Sequence, residues 1–179
     1  MSPPAELTAG RVVTLVKETS IVLGLTLFFP FVVHVLPSWD DSPLGSHLLP
    51  IFYAPLGALI LDRMGIAVAA SFLAPWINYL LTGHPVVPMA ALLCLQLMVF
   101  LVVGAALKKH EFPGWMLGPV GYFVALLASS ALGSVFQLIG RPFPLSLVRM
   151  PEVLWKSAPG ILILALIGLW FSRHKPHSA

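Results

Sequence analysis

The residues that could do chemistry in this chain are few, and their spacing does not suit catalysis. Trp39, Asp40, Asp41 and His47 fall in one short polar stretch. Asn78, Tyr79 and His84 fall in a second, and Arg141, Arg149, Glu152, Trp155 and Lys156 in a third. Rings supply contact area and a few charges or amides supply orientation, which is how small-molecule pockets are built. Interfacial anchoring by Trp and Tyr, with plainly solvated charge, is the competing account of the same residues. The third stretch gathers Arg141, Arg149 and Lys156, a set suited to an anionic or phosphate-bearing ligand, with lipid headgroups as the rival partner. Gln96 stands alone in an apolar run, where its amide needs a partner on another helix or a ligand.

Other chemistries lack their signatures. His34, His47 and His84 come from different segments without metal-ligand spacing, so neither a metal nor a cofactor is expected. No G-x-x-x-x-G-K-[ST] or G-x-S-x-G occurs, and His110-Glu111 runs into Phe112-Pro113-Gly114 rather than toward a second histidine. No apolar run carries paired acids, or an acid with a histidine, near its middle, as proton relays and ion-coupled transporters usually require. The expectation is a protein that is not an enzyme. Cys94 is the single cysteine, which excludes an intramolecular disulfide.

The elements that must position these residues are membrane helices. Hydrophobic residues make up 58% of the chain, charged residues 9%, and the mean hydropathy is +0.93. Soluble domains carry roughly 25% charged residues. The expected architecture is an all-α integral membrane protein, one domain over residues 1–179, folded as a compact bundle of six transmembrane helices. The apolar runs place them at about 12–36, 48–61, 64–81, 87–107, 115–139 and 153–171. The polar, Pro-containing start and the lack of a cleavage pattern suggest that the first run is retained as a span. The second run is short and holds Pro50 and Pro55. It reads either as a kinked packing helix or as an interrupted segment bordering a binding site.

With six spans and an inner N-terminus, the inner segments would hold Arg11, Lys17, Arg63, Lys108, Lys109, Arg173 and Lys175. The outer ones would hold Arg141, Arg149 and Lys156, a bias that favours both termini inside. The net charge of +3 then reflects topology, and no nucleic-acid partner is expected. Small residues recur four apart at Ser20 and Gly24, at Ala67 and Ser71, at Ala70 and Ala74, and at Ala125, Ser129 and Gly133. Such faces let helices approach closely, within the bundle or against a partner.

From His47 to Lys109 the chain resembles the substrate-binding S components of energy-coupling factor (ECF) vitamin transporters. The resemblance rests on Pro50, Pro55, Gly57, Gly65, Pro75, Leu80, Leu81, Thr82, Gly83, Pro85, Pro88 and Gly104. It implies capture of a vitamin or related micronutrient from the outer side, with Asn78, Tyr79 and His84 in the pocket. It also implies a separate transmembrane T subunit and ATPase subunits that supply the drive. In that family the T subunit docks on small residues of the first span, here Ser20 and Gly24 in place of the usual alanines. The Met-His start of the nickel and cobalt members is replaced by Met-Ser-Pro, which favours an organic substrate.

The expected function is therefore a capture subunit in the bacterial cytoplasmic membrane, binding its ligand through Trp39, Asp40, His47, Asn78, Tyr79, His84, Gln96, Arg141, Arg149, Trp155 and Lys156. The alternative is a small envelope scaffold of the MreD cell-shape type, with no small-molecule ligand.

Overall fold

A computed structural model describes residues 6–35, 44–83, 85–140, 143 and 145–174, the side chains of residues 6–9, 11, 34 and 35 excepted. Among them are eight α-helices. These are α1 (Glu6–Val35), α2 (Leu44–Leu48), α3 (Tyr53–Ile60), α4 (Met64–Thr82), α5 (Val87–Lys109), α6 (Gly114–Leu138), α7 (Met150–Lys156) and α8 (Ala158–Arg173). A 3-10 turn, Pro50–Phe52, leads into α3.

Local sequence sets many of these boundaries. Proline stands in the first two positions of α5, α7 and α8, where its missing N–H costs no hydrogen bond. Gly83 ends α4 in the left-handed region (φ 74°), and its N–H bonds to the carbonyl of Tyr79.

The expected six-helix bundle is not what forms. Among the described residues, four unbroken helices are long and apolar enough to cross a bilayer: Val12–Val33 within α1, then α4, α5 and α6. A fifth crossing is obtained if α7 and α8, bent by 61° at their junction, count as one span. The run 48–61 fails because Leu49 turns left-handed (φ 56°) and Pro50 starts a 3-10 turn. The eight residues of α3 then rise only about 12 Å, against roughly 30 Å of hydrocarbon. The run 153–171 fails as a straight rod because Pro159 has no N–H to give the Trp155 carbonyl and its ring crowds that carbonyl, and the chain breaks at Ser157. Four or five crossings also depart from the six-span topology of S components. The inner placement of both termini, which counted loops between six crossings, loses its premise.

The chain is thus a multi-helical, largely apolar membrane protein. Its core is continuous: Phe52, Leu56 and Leu59 of the short segment pack with Leu97, Phe100 and Leu101 of α5, Leu117 and Leu126 of α6, and Leu164 of α8. Phe52 meets Phe100 and Tyr122 edge to face at 5.0 and 5.4 Å. The segment after Leu49 is therefore a buried plug rather than a lipid-facing rod. α6 and α8 approach at Gly168, where any Cβ would collide with the carbonyl of Gly114. By contrast, α1 lies at the periphery, half-buried along one face and exposed along the other, with only 6% of its apolar window fully buried.

Candidate functional site

The polar residues separate to the two ends of the bundle. At one end, α2 lies against the α7–α8 break. Gly160 permits this, since a Cβ there would come within 2.7 Å of the His47 carbonyl and of Leu48. His47 is buried, and its Nδ1 donates to the carbonyl of Lys156 at 2.8 Å. That carbonyl belongs to the last turn of α7, whose bonding the bend interrupts. Lys156 Nζ turns back one helical turn to Glu152 at 2.9 Å. Ser157, wholly buried at the break, donates to the carbonyl of Val153 at 2.8 Å.

The approach to α7 is folded back on α6. The N–H of Leu147 donates to Ser134 Oγ at 2.9 Å, Gln137 Nε2 donates to the carbonyl of Phe143 at 3.1 Å, and Phe136 stacks on Phe143 at 5.2 Å. This packing carries Arg149, exposed at the start of α7, and Met150, buried beneath it.

Of the expected ligand residues, the fold thus joins His47 to Lys156, one α7 length from Arg149. Trp155 is 83% exposed and faces away from the core. Asn78 and Tyr79 are half-buried in the last turn of α4, where the Asn78 carbonyl accepts from Thr82 Oγ1 and the Tyr79 carbonyl from Gly83. Gln96 is buried deeper, with Nε2 donating to Ser129 Oγ at 2.9 Å and that hydroxyl donating to the carbonyl of Leu126. Trp39, Asp40, His84 and Arg141 lie outside the described residues.

The small-residue faces also separate. Ala67, Ala70, Ser71 and Ala74 of α4, with Ala125 and Ser129 of α6, are fully buried between helices. Ser20 and Gly24 are exposed, and nothing lies within 4 Å of a Cβ built on Gly24.

At the opposite end two ion pairs form that spacing alone did not reveal. Arg63 meets Glu18 at 3.0 Å, and Lys108 meets Asp62 at 2.5 Å. The only hint in the sequence is the adjacent Asp62-Arg63 between two apolar runs. Beside the first pair a mostly apolar groove of about 730 Å³ opens between α1 and α8.

No protein-family model, curated protein or solved structure matches the chain.

Proposed function

We propose that the protein is a membrane-embedded capture subunit for a vitamin-like micronutrient in a bacterial cytoplasmic membrane, energised by separate partner subunits. The ligand would bind where α2 meets the α7–α8 break. One observation carries this reading: His47 is held on the interrupted helix at Lys156, with Arg149 at the other end of the same short α7. Interrupted helices in transporters commonly border the substrate site, because the break frees polar groups inside an apolar body. The resemblance over residues 47–109 and the absence of a phosphate-binding loop support a capture role that depends on outside energy.

The test is binding by the purified protein. Mass spectrometry of co-purified small molecules, followed by titration calorimetry with a panel of acid-bearing vitamins, should identify a saturable ligand. His47→Ala and Arg149→Ala should weaken its binding at least tenfold. A panel without any binder, with the protein monodisperse throughout, would remove the proposal.

A further inference from the structure

The groove between α1 and α8 has a shape and charge of its own. Its floor is α3, at Gly57, and its walls are Val22 and Leu25 of α1 with Ile167 and Phe171 of α8. Glu18 and Arg63 pair at one end. Toward the other, Phe29 meets Tyr53 edge to face at 5.9 Å and joins α1 to the start of α3. From Glu18 to Phe29 helix α1 rises about 16 Å. One leaflet of a hydrocarbon core roughly 30 Å thick is about 15 Å deep. Arg63 immediately precedes the α4 span, which sets the ion pair at the edge of the hydrocarbon and the rings about one leaflet deeper.

That depth argues against a partner helix, which would need a track along the whole bilayer thickness. The docking face expected on α1 also points elsewhere. Ser20 and Gly24 are each two residues from Val22, nearly opposite it at about 100° per residue. Charge then selects the occupant. The Arg63 side chain is 57% exposed and engages Glu18 with one nitrogen, leaving most of its donors for another anion. Lys17 is exposed beside Glu18, and Arg173 is exposed two residues beyond Phe171. At this end of the bundle five cations (Lys17, Arg63, Lys108, Lys109 and Arg173) stand against three carboxylates (Glu18, Asp62 and Glu111), a net positive charge.

We infer that this groove holds one acyl chain of an anionic phospholipid, its phosphate against Arg63 and Lys17 and its chain lying along Val22 and Leu25 toward Phe29 and Tyr53. Basic pockets between membrane helices recognise such headgroups by this chemistry. A Cβ at Gly57 would stand 3.5 Å from the Phe171 ring, so Phe171 closes on the floor there and the open channel runs along Val22 and Leu25.

The experiment places the full chain in nanodiscs of equal phosphatidylglycerol and phosphatidylcholine, then counts lipids retained in native mass spectra after mild detergent extraction. Phosphatidylglycerol should be retained preferentially. Arg63→Gln should cut that preference about fivefold, the worth of one cation near a membrane surface. Gly57→Leu should lower retention of both lipids by driving the Phe171 ring into the groove. Phosphatidylglycerol with a photoreactive chain end should crosslink the wild-type protein at Phe29 or Tyr53, a readout that stands even if Gly57→Leu does not fold. Equal retention of the two lipids would overturn the inference, as would crosslinks spread evenly onto the Ser20–Gly24 face. A co-purifying polypeptide crosslinked to Val22 or Ile167 in place of lipid would overturn it too.

Discussion

Lys108 Nζ, at the end of α5, donates to the carbonyl of Leu59 at 2.7 Å, forty-nine residues away in the chain. The same ammonium reaches the carbonyl of Ile60 at 3.0 Å and the carboxylate of Asp62 at 2.5 Å. A lysine from one helix thus caps another. Helix α3 ends after eight residues beside the exposed Leu61 and Asp62, with its last carbonyls held by a charged donor.

Lys108→Met should therefore unfold more readily than wild type, by about 2–3 kcal/mol, since hydrogen bonds to charged groups are worth more than neutral ones. Asp62→Asn should cost much less, because the Asp62 side chain is 73% exposed and its ion pair is solvated. Thermal unfolding in detergent by intrinsic fluorescence checks both, and equal midpoints for Lys108→Met and wild type would refute the capping role.

Gln96 and Ser129 make an asymmetric pair. Gln96→Leu leaves the Ser129 hydroxyl bonded to Leu126, so stability should stay within about 1 kcal/mol of wild type. Ser129→Ala removes the acceptor of a buried amide and should cost about 1–3 kcal/mol. A ligand role for Gln96 would appear instead as lost binding by Gln96→Leu at unchanged stability, measured by titration of the purified variant.

The α6–α8 crossing gives a steric test. Gly168→Leu should lower the fraction of monodisperse protein sharply, because overpacking a tight core contact costs about 1–3 kcal/mol or more. Gly24→Leu, with open space around it, should elute and melt like wild type. Matching size-exclusion profiles for the two variants would show that the α6–α8 approach is not close.

At the α2–α7 contact, His47→Ala should lose about 1 kcal/mol with its bond to Lys156. Trp155→Ala, at an exposed site, should not change stability. In a transport assay Tyr79→Ala and Arg149→Ala should depress uptake if the protein captures a ligand. Unaltered uptake in both, with a cell-shape defect on gene deletion, would support the scaffold alternative.

Much of the architecture is legible residue by residue. Long apolar runs mark α1, α4, α5 and α6 as membrane helices, and Gly83 and Pro88 mark where helices stop or start. These signals are local: hydropathy, a left-handed glycine and a missing N–H act within a few residues. The number of crossings was not legible. An apolar run such as 48–61 crosses a membrane or plugs a core according to whether distant groups satisfy its backbone, and here Lys108 does. Nor do small residues four apart say which faces are covered. Those of α4 and α6 are buried and those of α1 exposed, a difference set by neighbouring helices and not by the repeat. The approach of His47 to Lys156 and of Glu18 to Arg63 likewise depends on how helices remote in sequence lie side by side, and only the tertiary structure decides that.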